Sequence, residues 1–181
     1  MTDISLKNYL MKNSLESFEI DFSDIRIIPY VDAVNARMSF RDTNITGHVN
    51  FNNLHFIDEQ GLNGSFYNCS NITSVSFPKL EIINYYGLYY TFYKCEKIET
   101  ISFPNLVSIG QYGMSRAFYN CSNLKSVYFH KLQTIESNAL FALFQGCNNL
   151  TEVHFPASLE GNSQCTASNL SCNNATIYFD L

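Results

Sequence analysis

Hydrophobic positions recur along this chain with a period of 26 residues. Phe66, Phe92, Phe118 and Phe144 share one slot, Cys69, Cys95, Cys121 and Cys147 the slot three further on, and Ile72, Ile98, Leu124 and Leu150 the slot three beyond that. Val75, Ile101, Val127 and Val153 follow, then Phe77, Phe103, Phe129 and Phe155, then Leu80, Leu106 and Leu132, then Ile83, Ile109 and Ile135. A fixed period of this length is the signature of a stacked repeat. Two shorter periods alternate inside each unit. Leu88, Phe92 and Cys95 stand at i, i+4 and i+7, as do Leu62/Phe66/Cys69, Met114/Phe118/Cys121 and Leu140/Phe144/Cys147, which predicts one apolar stripe of a short helix. After a polar two-residue link such as Ser122-Asn123, Val127 and Phe129 alternate with Ser126, Tyr128 and His130, the period of two of a strand with one buried face. Pro78, Pro104 and Pro156 end the strand, and a second extended piece, Leu-x-x-Ile, leads to the next unit.

One such unit holds too few inward side chains to offset the ordering of its own backbone. Stacking buries both sides of each Phe and Leu, so the pattern predicts an α/β solenoid of 26-residue strand-plus-short-helix units with one parallel concave sheet. In chain order we expect an amphipathic helical cap over 1–13 (Ile4, Leu6, Leu10, Met11), two degenerate repeats over 14–65, three regular repeats over 66–143, and a shortened repeat with a capping strand over 144–181, all one domain. Asp21, Asp24, His48 and Asn50 in the degenerate strand slots are polar choices that blunt an edge strand.

The pattern F-x-x-C-x-N-L-x-x-V-x-F-P-x-L-x-x-I resembles the BspA-like class of leucine-rich repeat, clearly so over residues 66 to 156. Stepped back by 26 it still fits Phe40, Val49, Phe51, Leu54 and Ile57, with Thr43 in place of the Cys; a further step matches Ile20, Ile25, Ile28 and Val31 more loosely. The resemblance implies a curved, right-handed superhelix that binds other macromolecules.

Composition narrows the function. The chain has 181 residues, 46% of them hydrophobic, and a net charge of −5 from 16 acids and 11 bases. That balance disfavours nucleic acid as a non-specific partner, because phosphate neutralisation needs clustered Lys and Arg. The start, MTDISLKNYLMKNSLESF, lacks a basic stretch followed by an apolar run, and nothing reaches transmembrane length, so the expectation is a cytoplasmic protein without membrane contact. Sequons such as Asn68-Cys69-Ser70 fall at packed turns and read as by-products of the Asn-rich repeat. The four periodic cysteines read as a ladder of buried thiols beneath the neighbouring Phe. Cys165 and Cys172 lie close enough in sequence to pair in an oxidising compartment. There is no C-x-x-C, no Cys/His cluster with zinc spacing, no phosphate-binding Gly-rich loop and no local nucleophile–base motif, so the expectation is no enzyme, no metal and no cofactor.

What remains is surface. The outward strand positions form a concave face whose candidate partner-binding residues are Ser76, Thr100, Ser102, Ser126, Tyr128, His130, Glu152 and His154. Small Ser and Thr leave the face flat, and Tyr128, His130, His154 and Glu152 supply the large amphipathic and charged groups that anchor interfaces. A second candidate is the Tyr-rich outer layer, where Tyr86 and Tyr90 stand off the stripe of Leu88, Phe92 and Cys95. The expectation is a non-enzymatic binder of a protein partner, in its finer form a phage or mobile-element effector that blocks a host complex. The alternative is a structural or adhesive component of a phage particle or bacterial surface.

Overall fold

A computed structural model describes residues 20–21, 27–28 and 40–180. The helix expected over 1–13, and Asp24, Ile25 and Val31 of the degenerate repeats, lie outside the described residues. Each repeat contributes one longer strand: β1 (Ile20–Asp21), β3 (Gly47–Asn50), β5 (Ile72–Ser76), β7 (Thr100–Ser102), β9 (Ser126–Tyr128) and β11 (Glu152–Phe155). All but the last of these repeats also contribute a two-residue strand from the Leu-x-x-Ile piece: β2 (Ile27–Ile28), β4 (Phe56–Ile57), β6 (Ile82–Ile83), β8 (Ser108–Ile109) and β10 (Thr134–Ile135). A last strand, β12 (Thr176–Phe179), closes the series. Every pairing is parallel. From β3 to β11 the register is the 26-residue frame, as where Val75 pairs with Val49, Val127 with Ile101 and Val153 with Val127, whereas β1 and β2 pair at an offset of 29, Ile20 with Val49 and Ile28 with Ile57.

The inward side chains fuse into one core. Val49, Val127 and Val153, the five strand-end phenylalanines Phe51, Phe77, Phe103, Phe129 and Phe155, and the Leu-x-x-Ile residues Leu80, Ile83, Leu106 and Ile109 are all buried. Phe66, Phe92 and Phe118 stack at 5.5 Å between successive centroids with interplanar angles of 9° and 3°. Each ring thus sits between copies of itself.

Two features differ from the sequence expectation. The segment read as a short helix is a ribbon of successive β-turns. Every fourth residue is left-handed, as at Tyr86, Tyr90 and Lys94 with φ of 54°, 52° and 57°. The amides of Gly87, Tyr89, Thr91, Tyr93 and Cys95 donate to the carbonyl three residues back at 2.9–3.3 Å, whereas those of Tyr86, Leu88, Tyr90, Phe92 and Lys94 donate at 2.7–3.3 Å to Gln111, Gly113, Ser115, Ala117 and Tyr119 of the next unit. The cause is spacing. Parallel strands set the units about 4.8 Å apart, and a helix about 10 Å across does not stack at that pitch, whereas a flat ribbon does. Four-residue turns place Leu88, Phe92 and Cys95 inward almost as a helix would, which is why the periodicity misled.

Secondly, the strands do not make one sheet. The long strands form two runs, β1-β3-β5 and β7-β9-β11-β12, and the two-residue strands form a separate five-stranded sheet. Between β5 and β7 the ladder is open. Phe51, Phe103 and Phe129 each donate their amide to the strand of the next unit, to Ser76, Tyr128 and His154, but the Phe77 amide makes no such bond to Ser102. Val75 and Ile101 keep some exposure at 6% and 3%, whereas Val49, Val127 and Val153 are at 0%.

The final step is short. His154 pairs with Tyr178 and Phe155 with Phe179, an offset of 24. The intervening chain turns through two 3-10 segments and a single α-helical turn, Ala167–Leu170, whose first turn is capped by the Thr166 hydroxyl accepting from the Asn169 amide.

Candidate functional site

The alternation of small polar and large apolar residues in β5, β7 and β9 puts Ser74, Ser76, Thr100, Ser102, Ser126 and Tyr128 on the outer strand face, all partly or fully exposed. They line one groove of about 400 Å³, centred on the open seam between β5 and β7. Five of the eight concave-face candidates therefore meet in a single depression. Its floor carries backbone groups that the ladder leaves unpaired.

The other three candidates adjoin it. The Tyr128 ring stacks on His154 at 4.6 Å and 15°, and His130 lies 5.9 Å from Tyr128. On its far side His154 stacks on Tyr178 at 4.6 Å and 12°. Its Nδ1 bonds the Asp180 carboxylate at 2.9 Å. Its Nε2 is closed off from solvent and lies 3.5 Å from a Glu152 carboxylate oxygen without hydrogen-bond geometry. The groove thus ends in an aromatic ladder flanked by two carboxylates. Tyr178 and Asp180 were not among the residues singled out from sequence. A step of 24 rather than 26 would have found Tyr178.

On the turn ribbon, Tyr86 and Tyr90 are half-buried. Tyr86 stacks on Tyr112 at 4.9 Å and meets Tyr85 and Tyr89 edge-on, while Tyr90 meets Tyr89 edge-on at 4.5 Å. Burial, reinforced by neighbouring phenols, pushes both hydroxyls above the ordinary tyrosine range. A parallel column, Tyr67, Tyr93 and Tyr119, stacks at 4.3 and 5.1 Å.

The thiols have a defined place. Cys69, Cys95, Cys121 and Cys147 donate to the carbonyls of Phe40, Phe66, Phe92 and Phe118 at 2.9, 3.2, 3.1 and 3.0 Å. Thr43, which stands in the Cys slot of its repeat, uses its hydroxyl for the Phe40 carbonyl at 2.6 Å and lies 3.6 Å from the Cys69 sulfur. Cys165 and Cys172 are buried and unpaired.

A family model described as "BspA type Leucine rich repeat region" matches residues 36–170 in six copies. No curated protein matches. Among solved structures, a leucine-rich repeat protein from Bacteroides ovatus ATCC 8483 is similar with a TM-score of 0.51 at 20% identity, over 86% of this chain and 43% of that one. The chain therefore spans less than half of that structure, and the likeness is one of fold.

Proposed function

The chain belongs to the BspA-type leucine-rich-repeat family, and from that premise we propose that it is a non-enzymatic module that holds a protein partner on its strand face. The observation that carries this reading is the coincidence of three things: the Ser/Thr groove of about 400 Å³, the seam with unpaired backbone groups beneath it, and the Tyr128–His154–Tyr178 ladder at its end. A flat polar floor admits a backbone closely, and large aromatic side chains supply contact area at low entropic cost. Ser76, Thr100, Ser102 and Ser126 form the floor in this reading; Tyr128, His130, Glu152 and His154 form the anchoring end; Tyr86 and Tyr90 belong to a second, outer contact surface.

The finer role, an effector of a phage or mobile element that blocks a host complex, is supported by the excess of acids and by the lack of any catalytic motif in the sequence. Capture from lysate of the cells that express the gene, by wild type and by a Tyr128→Ala/His154→Ala variant, tests the reading. Retention of one specific protein by wild type alone is the expected result. Equal capture by both removes the strand face from recognition, and capture by neither turns the assignment toward a structural or adhesive component.

A further inference from the structure

The turn ribbon carries a second concavity, of about 650 Å³, with a chemistry unlike the rest of this acidic chain. Both arginines among the described residues, Arg41 and Arg116, line it, and no carboxylate does. Arg41 occupies the slot one unit before Tyr67, and its guanidinium carbon lies 3.8 Å from the centre of that ring. Arg116 occupies the slot one unit after Tyr90; its guanidinium sits 5.6 Å from the Tyr90 centroid and 5.0 Å from that of Phe141, with Nη1 3.4 Å from the Tyr89 hydroxyl. Lys94, outside that lining, stands 5.7 Å from the Tyr93 ring. Gly64, in the Tyr90 column, clears the space between the arginines, since a Cβ there would meet nothing within 4 Å.

Cation–π contact orients a guanidinium and strips part of its water, but it does not neutralise it. Among the described residues no carboxylate forms an ion pair with Arg116, and Arg41 has only the exposed Asp42 at 3.5 Å, itself bonded by Asn68. The planar forks of both side chains therefore retain donors suited to carboxylates. Their slots are three units apart, about 14 Å at a strand spacing near 4.8 Å. An extended peptide covers that distance in about four residues at roughly 3.3 Å each.

We propose that this Tyr/Arg groove binds an extended acidic segment of a protein partner, with carboxylates about three to four residues apart seated on Arg41 and Arg116. The inference rests on the protein-binding reading above and places a second, chemically distinct contact on the opposite kind of surface. The test is fluorescence polarisation with the full chain and labelled hexaglutamate, hexaserine and hexalysine peptides, together with a labelled six-nucleotide thymidine strand. Hexaglutamate is expected to bind, hexaserine and hexalysine not to. Arg116→Gln and Arg41→Gln should each weaken hexaglutamate about tenfold, the loss of one charge-assisted contact, with unchanged melting curves. Tyr128→Ala/His154→Ala should bind it as wild type does. Absence of hexaglutamate binding, indifference to both arginine substitutions, or equal or tighter binding of the thymidine strand each overturns the assignment. Because the peptide readout needs no cellular partner, its failure leaves the strand-face capture experiment standing, and the reverse holds as well.

Discussion

At the scale of single residues, the repeat is held by side chains that meet their own copies. Phe118 is fully buried and stacks on Phe92 and Phe144 at 5.5 and 6.2 Å. Phe118→Ala should cost about 3–5 kcal/mol in a urea titration, and a loss below about 1 kcal/mol would contradict its place in the stack. Ser102→Ala, on the groove floor, should change stability by less than about 0.5 kcal/mol. The thiols make a pH prediction. Burial pushes Cys147 and Cys165 up to about 12 and Cys172 to about 11, and raises Cys95 and Cys121 well above the ordinary range. In the unfolded chain they ionise near 8.5. A raised folded value means that the neutral thiol is favoured in the fold, so the contribution is complete below about pH 8.5 and is lost as pH climbs toward 12. The slope is up to about 1.4 kcal/mol per pH unit for each thiol. Urea midpoints measured between pH 7 and 10.5 should hold to about pH 8 and then fall; a flat profile would show thiols open to solvent.

At the scale of elements, the strands were legible in the sequence and the ribbon was not. Period-two alternation around Val127 and Phe129 marks β9 and its outer face, and the 26-residue frame marks its neighbours. The ribbon escaped because i, i+4, i+7 spacing is shared by a helix and by four-residue turns, and because Tyr86, Tyr90 and Lys94 fill left-handed positions that in other units hold Gly64, Asn68, Asn120, Asn138 and Gly146, so no column carries the turn residues throughout. Inter-unit hydrogen bonds hold those residues in a conformation they disfavour alone. Glycine in the ribbon has two distinct meanings. At Gly113 a Cβ would lie 2.8 Å from both the Gly110 carbonyl oxygen and a methyl of Ile109, whereas at Gly64 it meets open space. Gly113→Ala should therefore destabilise by about 1–3 kcal/mol and Gly64→Ala by about 1 kcal/mol or less. Equal costs would mean that the atoms around Gly113 give way without strain.

At the scale of the molecule, the ladders are continuous along the ribbon and the short-strand sheet but broken once on the strand face. The Phe77 amide should exchange with deuterium faster than those of Phe51, Phe103 and Phe129, which are bonded at 2.9, 3.0 and 2.9 Å. Uniform protection of all four would close the seam. Partner binding on that face should slow Phe77 in particular. Of the binding surface, the Ser/Thr columns and the Tyr128–His154 pairing followed from register alone. Tyr178 did not, because two residues fewer in the last step carry it out of frame. The Tyr/Arg groove also escaped, since it joins Arg41 and Arg116 from slots in different columns that approach each other only when the ribbon is flat.

The fixed frame of 26 has a genetic consequence. Removing residues 92–117 as a block would splice Thr91 to Phe118 and set every slot onto its equivalent, so length can be gained or lost here in whole units without loss of register. A single inserted codon inside 66–155 would instead shift a thiol, a ring and a strand out of their columns at once. Variation in such a gene is thereby channelled into two forms, exchange of whole rungs and replacement of outward residues, which changes the reach and the chemistry of the surface while the scaffold stays the same.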